Sequence, residues 1–106
     1  MKTPIVTDQA PAAIGPYSQG ISTESLVFVS GQLPIDPATG VMPEDVAAQA
    51  KQSLANVKAV LEAAGSSMEK VVKTTIFLAD IADFAAVDGV YAAGFPPPCP
   101  APSCFA

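Results

Sequence analysis

The stretch from Pro43 to Leu78, PEDVAAQAKQSLANVKAVLEAAGSSMEKVVKTTIFL, changes its hydrophobic period partway along, and that change decides the fold. Val46, Ala50, Leu54, Val57, Leu61 and Ala64 recur every three or four residues as one apolar stripe. Lys51, Gln52, Lys58 and Glu62 lie off the stripe, so this part reads as an amphipathic helix. Pro43, Glu44 and Asp45 put a proline and two carboxylates into its first turn, where the partial positive charge of a helix N-terminus favours them. Gly65 ends it, as glycine at the position after a helix cap commonly does. From Val71 the period drops to two, with Val72, Thr74, Ile76 and Leu78 on one face and Val71, Lys73, Thr75 and Phe77 on the other, which is a strand.

Upstream of this stretch, Lys2 to Val6 reads as a short strand. Tyr17–Ile21 and Leu26–Ser30 then form a hairpin pattern around residues 22–25. Gly31 directly after the second run predicts a bulge or a close backbone approach, and residues 33–40 carry Asx, proline and glycine turn chemistry. Downstream, Asp80 is placed to cap a second helix with Ile81, Phe84, Val87 and Tyr91 on its inner face, ending near Gly94. The tail, Phe95 to Ala106, is FPPPCPAPSCFA. Its prolines favour extended backbone and remove ladder donors, so it is expected to be an edge strand at best. The order β-β-β-α-β-α predicts one α+β domain over residues 1–106, a small mixed sheet with two helices on one face. The Pro-rich tail 95–106 is expected to leave the sheet incomplete at the C-terminal end.

Composition narrows the chemistry. The chain has 10 acidic and 5 basic side chains and a net charge of -5. The basic residues are all lysines, so no guanidinium is present to hold a carboxylate or phosphate by two parallel bonds. Nucleic-acid binding by counterion release is disfavoured at this charge. No histidine means no imidazole base, and Cys99 and Cys104 with no third Cys do not make a zinc set. Charged residues are 14% and mean hydropathy is +0.40, against roughly 25% charged in ordinary soluble domains. Such a chain either buries much of its surface or hides it against other subunits. The longest uncharged run, 89–106, is too rich in proline to be a membrane helix, and with no signal-peptide pattern the chain reads as a reduced cytosolic protein.

Four motifs then carry a resemblance: Ala10-Pro-Ala-Ala-Ile-Gly-Pro-Tyr-Ser-Gln-Gly20, Val29-Ser-Gly-Gln-Leu-Pro34, Gln49-Ala-Lys-Gln-Ser-Leu-Ala-Asn-Val-Lys58 and Val72-Lys-Thr-Thr-Ile-Phe77. In this order the chain resembles the RidA (YjgF-type) reactive-intermediate deaminases over nearly its whole length. The tail continues the likeness, because Phe95-Pro-x-x-x-Pro-Ala-x-Ser-Cys104 is similar to the family's Phe-Pro-x-x-x-Pro-Ala-Arg-Ser-Cys.

The resemblance implies a chorismate-mutase-like subunit in a homotrimer with three clefts between subunits. It also implies cofactor-free hydrolysis of 2-enamine or 2-imine acids to 2-keto acids and ammonia. Tyr17, Ser30, Gly31, Asp88 and Cys104 match the family's cleft positions, with Asp88 where many members carry asparagine. Pro102 stands where the family has its carboxylate-clamping arginine, and the family's final strand with its glutamate has no counterpart before Ala106. Lys73, a strand lysine, is expected to face solvent rather than replace the clamp. Two other functions fit less closely. One is a non-catalytic small-molecule-binding or chaperone-like trimer, supported by Pro102; the other is an endoribonuclease or translation inhibitor, which the charge of -5 opposes.

Overall fold

A computed structural model describes all residues, 1–106. Strands β1 (Thr3–Ile5), β2 (Gly20–Ser22) and β3 (Val27–Val29) form an antiparallel sheet in the order β1-β2-β3. Helix α1 (Val46–Ala63) follows, then β4 (Lys73–Phe77), α2 (Phe84–Gly94) and β5 (Ala101–Phe105). β4 and β5 pair in parallel as a second ladder, so the sheet layer is mixed and both helices pack against it. No helix is long and apolar enough to cross a membrane.

The hairpin is shorter than its sequence pattern. Pairing covers Gly20↔Val29 to Ser22↔Val27, and the loop is held by Thr23, whose N–H donates to Leu26 O at 2.8 Å. Tyr17 therefore lies in the loop before β2 rather than in the strand. Gly20 meets its tightest surroundings here. A Cβ on it would lie 2.9 Å from Phe28 O and 2.9 Å from Val60 Cγ1, which only glycine avoids.

α1 begins one step later than the sequence suggests. Asp45 is its N-cap, accepting from Ala48 N at 3.0 Å, so Pro43 and Glu44 precede the helix instead of lying in its first turn. Its C-terminus closes as a Schellman motif: Ser66 N donates to Leu61 O, Gly65 N donates to Glu62 O, and Gly65 takes φ +82°. The helix buries more than the predicted stripe. Val60 is fully buried with Ile5 and Ala10, and Val27, Val29, Ala59 and Ala64 pack around them. Burying a valine side chain contributes roughly 1.5–3 kcal/mol. Leu54 meets α2, where a Cβ on Gly94 would lie 3.1 Å from Leu54 Cδ1.

Asp80 caps a short 3-10 turn, Ile81–Asp83, accepting from Ala82 N at 2.9 Å, and this turn runs into α2. The proline-rich tail does pair. Ala101 N donates to Val72 O and Phe105 O accepts from Leu78 N, so the odd-numbered residues of β5 bond to β4. The nitrogen of Pro102 points to the outer edge, where a missing donor costs no ladder bond.

Candidate functional site

Alternation in the parallel ladder gives its two faces different characters. Thr74 and Ile76 are half-buried and, with their ladder partners Pro102 and Cys104, point toward α2. Phe84, Val87, Asp88 and Tyr91, spaced three and four apart, form the face of α2 that answers them. Between helix and ladder is a cavity of about 230 Å³ lined by Ile76, Phe84, Val87, Asp88, Tyr91, Pro102 and Cys104. It is small beside the roughly 300–1,000 Å³ of pockets for drug-sized ligands, with room for only a few heavy atoms.

Two hydroxyls tie the helix to the ladder. Tyr91 Oη and Thr74 Oγ1 are 2.7 Å apart, and the Tyr91 ring packs on Phe95 at 4.6 Å. A tyrosine in an apolar helix stripe needs such a partner when buried, and that requirement is the one signal in the sequence that could have flagged the pair. The cavity carries one charged group, the Asp88 carboxylate. Lys73 is on the other face of β4, exposed, donating from Nζ to Ser103 Oγ at 2.7 Å and to Thr74 O at 3.0 Å. Pro102 leaves the cation position of the motif without charge.

The remaining candidates lie elsewhere. Tyr17 is half-exposed, and its hydroxyl accepts from Ile14 N at 3.3 Å. Ser30 donates its hydroxyl to Ser18 O. Gly31 is exposed, and a Cβ on it would meet nothing within 4 Å, so the close approach expected from its place after a strand is not made within this chain. None of the three lines the α2 cavity. What holds their loops is buried amide chemistry that the sequence reading did not single out. Gln19 Nε2 donates to Thr7 O, Ala10 O and Pro11 O, and Asn56 Nδ2 donates to Leu33 O and Ile35 O. A wider hollow of about 420 Å³ over the outer face of α1, with Thr7, Gln9, Lys58 and Glu62 at its margin, contains none of the candidate residues.

Both cysteines are free thiols, and nowhere do three His, Cys, Asp or Glu side chains converge as a metal would require. The set that does converge offers an acidic group, the Tyr91 hydroxyl, a thiol and apolar walls. That set is suited to enclosing a small polar molecule without a bound ion.

Comparison with known proteins shows the family. Residues 7–106 match the Endoribonuclease L-PSP family. The chain is 56% identical over 95 residues to the 2-iminobutanoate/2-iminopropanoate deaminase of Salmonella typhimurium, covering 90% of this chain and 74% of that protein. The YjgF gene product of Escherichia coli superposes with a TM-score of 0.92 at 48% identity, over 97% of this chain and 84% of that one. TdcF of E. coli, crystallised with bound serine, superposes with a TM-score of 0.91 at 44% identity, over 97% and 84%. The chain belongs to the Endoribonuclease L-PSP family, in which the RidA and YjgF deaminases are its relatives.

Proposed function

We propose that the chain hydrolyses small reactive imines and enamines, releasing ammonia and a carbonyl product. It does so weakly on the carboxylate-bearing 2-imino acids for which its relative from S. typhimurium is named. The observation that carries this reading is that Asp88 of α2 and Pro102 and Cys104 of β5 line one cavity of about 230 Å³. The serine bound to TdcF supports an occupant of amino-acid size.

Hydrolysis of an imine is water addition to the C=N carbon, giving a carbinolamine. Collapse of that adduct breaks the C–N bond, expels ammonia and leaves the carbonyl. Hydroxyl and carboxylate groups serve it by orienting the water and by relaying a proton to the departing nitrogen. Losing a bidentate guanidinium removes hydrogen bonds to charge worth about 1.5–3 kcal/mol each. A deficit of about 2.7 kcal/mol is already 100-fold in rate.

The reading includes a homotrimer, acting in the cytoplasm, in which Tyr17, Ser30 and Gly31 of one copy face the cavity of the next. Two observations support it. The chain exposes 6849 Å², about 1,300 Å² more than the ~5,500 Å² expected of a compact monomer of this mass. Phe77 is 80% exposed and its ladder partner Phe105 54% exposed, on a sheet face that another copy would cover. The second reading, binding without turnover, is favoured by Pro102 alone. Ammonia release from a freshly generated imine without an acid group, run beside 2-aminoacrylate, separates the two: release above the spontaneous rate from either supports hydrolysis, and its absence from both supports binding only.

A further inference from the structure

A carboxylate-bearing ligand held out of water needs a cation or several N–H donors to offset the desolvation of its charge. Here Pro102 contributes only hydrocarbon, the one lysine on the ladder bonds Ser103 on the opposite face, and the chain has no arginine or histidine. The single charge on the cavity wall is the Asp88 carboxylate, set between Phe84, Val87 and Tyr91 on one helix face. Ionised aspartate only accepts hydrogen bonds, so its complement is an N–H donor, best a charged one. The other walls, Ile76, Val87, Phe84 and Pro102, suit a short aliphatic body.

We infer that this cavity selects a small aliphatic ligand bearing an ammonium or iminium group and no carboxylate, with Asp88 as its specificity-determining contact. The inference rests on reading the α2 cavity as the ligand site of the proposed function, and it narrows the substrate class to N-unsubstituted imines and enamines of simple carbonyl compounds without an acid group. Among solvent-screened groups such a contact shifts affinity modestly, and a ligand of this size binds in the millimolar range.

The test is a titration of the full chain with n-propylammonium chloride and, at equal ionic strength, sodium propionate, read by amide chemical shifts. Propylammonium is expected to shift the amides of Val87, Asp88, Tyr91 and Cys104 and to bind at least fivefold more tightly than propionate. Asp88 is exposed and Asp88→Asn keeps its shape, so the variant retains the fold and should bring the two probes within about twofold of each other. Pro102→Arg should turn the preference toward propionate. Equal or tighter binding of propionate by the unaltered chain, an ammonium response unchanged in Asp88→Asn, or no response of these amides to either probe would each overturn the inference. Turnover does not enter this readout. Cation preference without any imine hydrolysis would sustain the inference and defeat the catalytic reading, and hydrolysis without cation preference would do the reverse.

Discussion

Lys73 Nζ donates to Ser103 Oγ at 2.7 Å across the parallel ladder, so the one cation on these two strands is held on the face away from Asp88 and the cavity. Ladder register causes this, because residues 73 and 103 share a face that 76, 102 and 104 do not. Lys73 is therefore no substitute for a clamp. Lys73→Met should leave ligand preference and any hydrolysis rate unchanged within about twofold, measured by probe titration and ammonia release. A loss of tenfold or more would mean the lysine reaches the site.

Gly20 is fixed by crowding from Phe28 O and Val60 Cγ1, both 2.9 Å from where a Cβ would sit. Gly20→Ala should cost about 1–3 kcal/mol, as overpacking a filled core does. Thermal unfolding at fixed protein concentration would show it as a fall in Tm of several degrees; an unchanged Tm would mean that β2 yields without strain.

Gln19 aims one amide nitrogen at three carbonyls, at 2.9 Å from Thr7 O, 3.2 Å from Ala10 O and 2.8 Å from Pro11 O. Gln19→Glu keeps the shape but puts an acceptor where the donor was. The unsatisfied carbonyls should cost at least about 1–3 kcal/mol, read as a lower urea midpoint. Gln19→Met tests the same contact without adding charge and should cost less.

Much of the fold was legible because it is local. The change of period between Leu61 and Val72 placed α1 and β4, and Gly65 marked the helix end that its φ of +82° now explains. The buried face of α1 was less legible, since Asn56 is polar and counts against an apolar stripe although it is 1% exposed and bonds two loop carbonyls. β5 was demoted by its prolines, and only the pairing direction reveals that the nitrogen of Pro102 faces outward. The candidate site residues came from motif resemblance and not from spacing. That Asp88, Pro102 and Cys104 meet depends on a parallel register between strands 28 residues apart, which no local pattern encodes.

Phe77 stacks on Phe105 with ring centroids 6.1 Å apart, and both rings are mostly bare. If another copy covers this face, Phe77→Asp should convert the trimer to monomer in analytical ultracentrifugation at tens of micromolar, by placing an unpaired charge in the interface. A monomer for the unaltered chain at that concentration would refute the trimer.

Ammonia and keto-acid release from freshly generated 2-aminoacrylate measures directly what the missing guanidinium costs. The chain, its Pro102→Arg variant and the deaminase of S. typhimurium would be compared side by side. The predicted result is slow release by the chain, at least ~100-fold below the relative, and a gain of at least tenfold on Pro102→Arg, about 1.4 kcal/mol. Release by the unaltered chain at the relative's rate would contradict it, because a cavity without a cation would then be holding a carboxylate as well as one that has it.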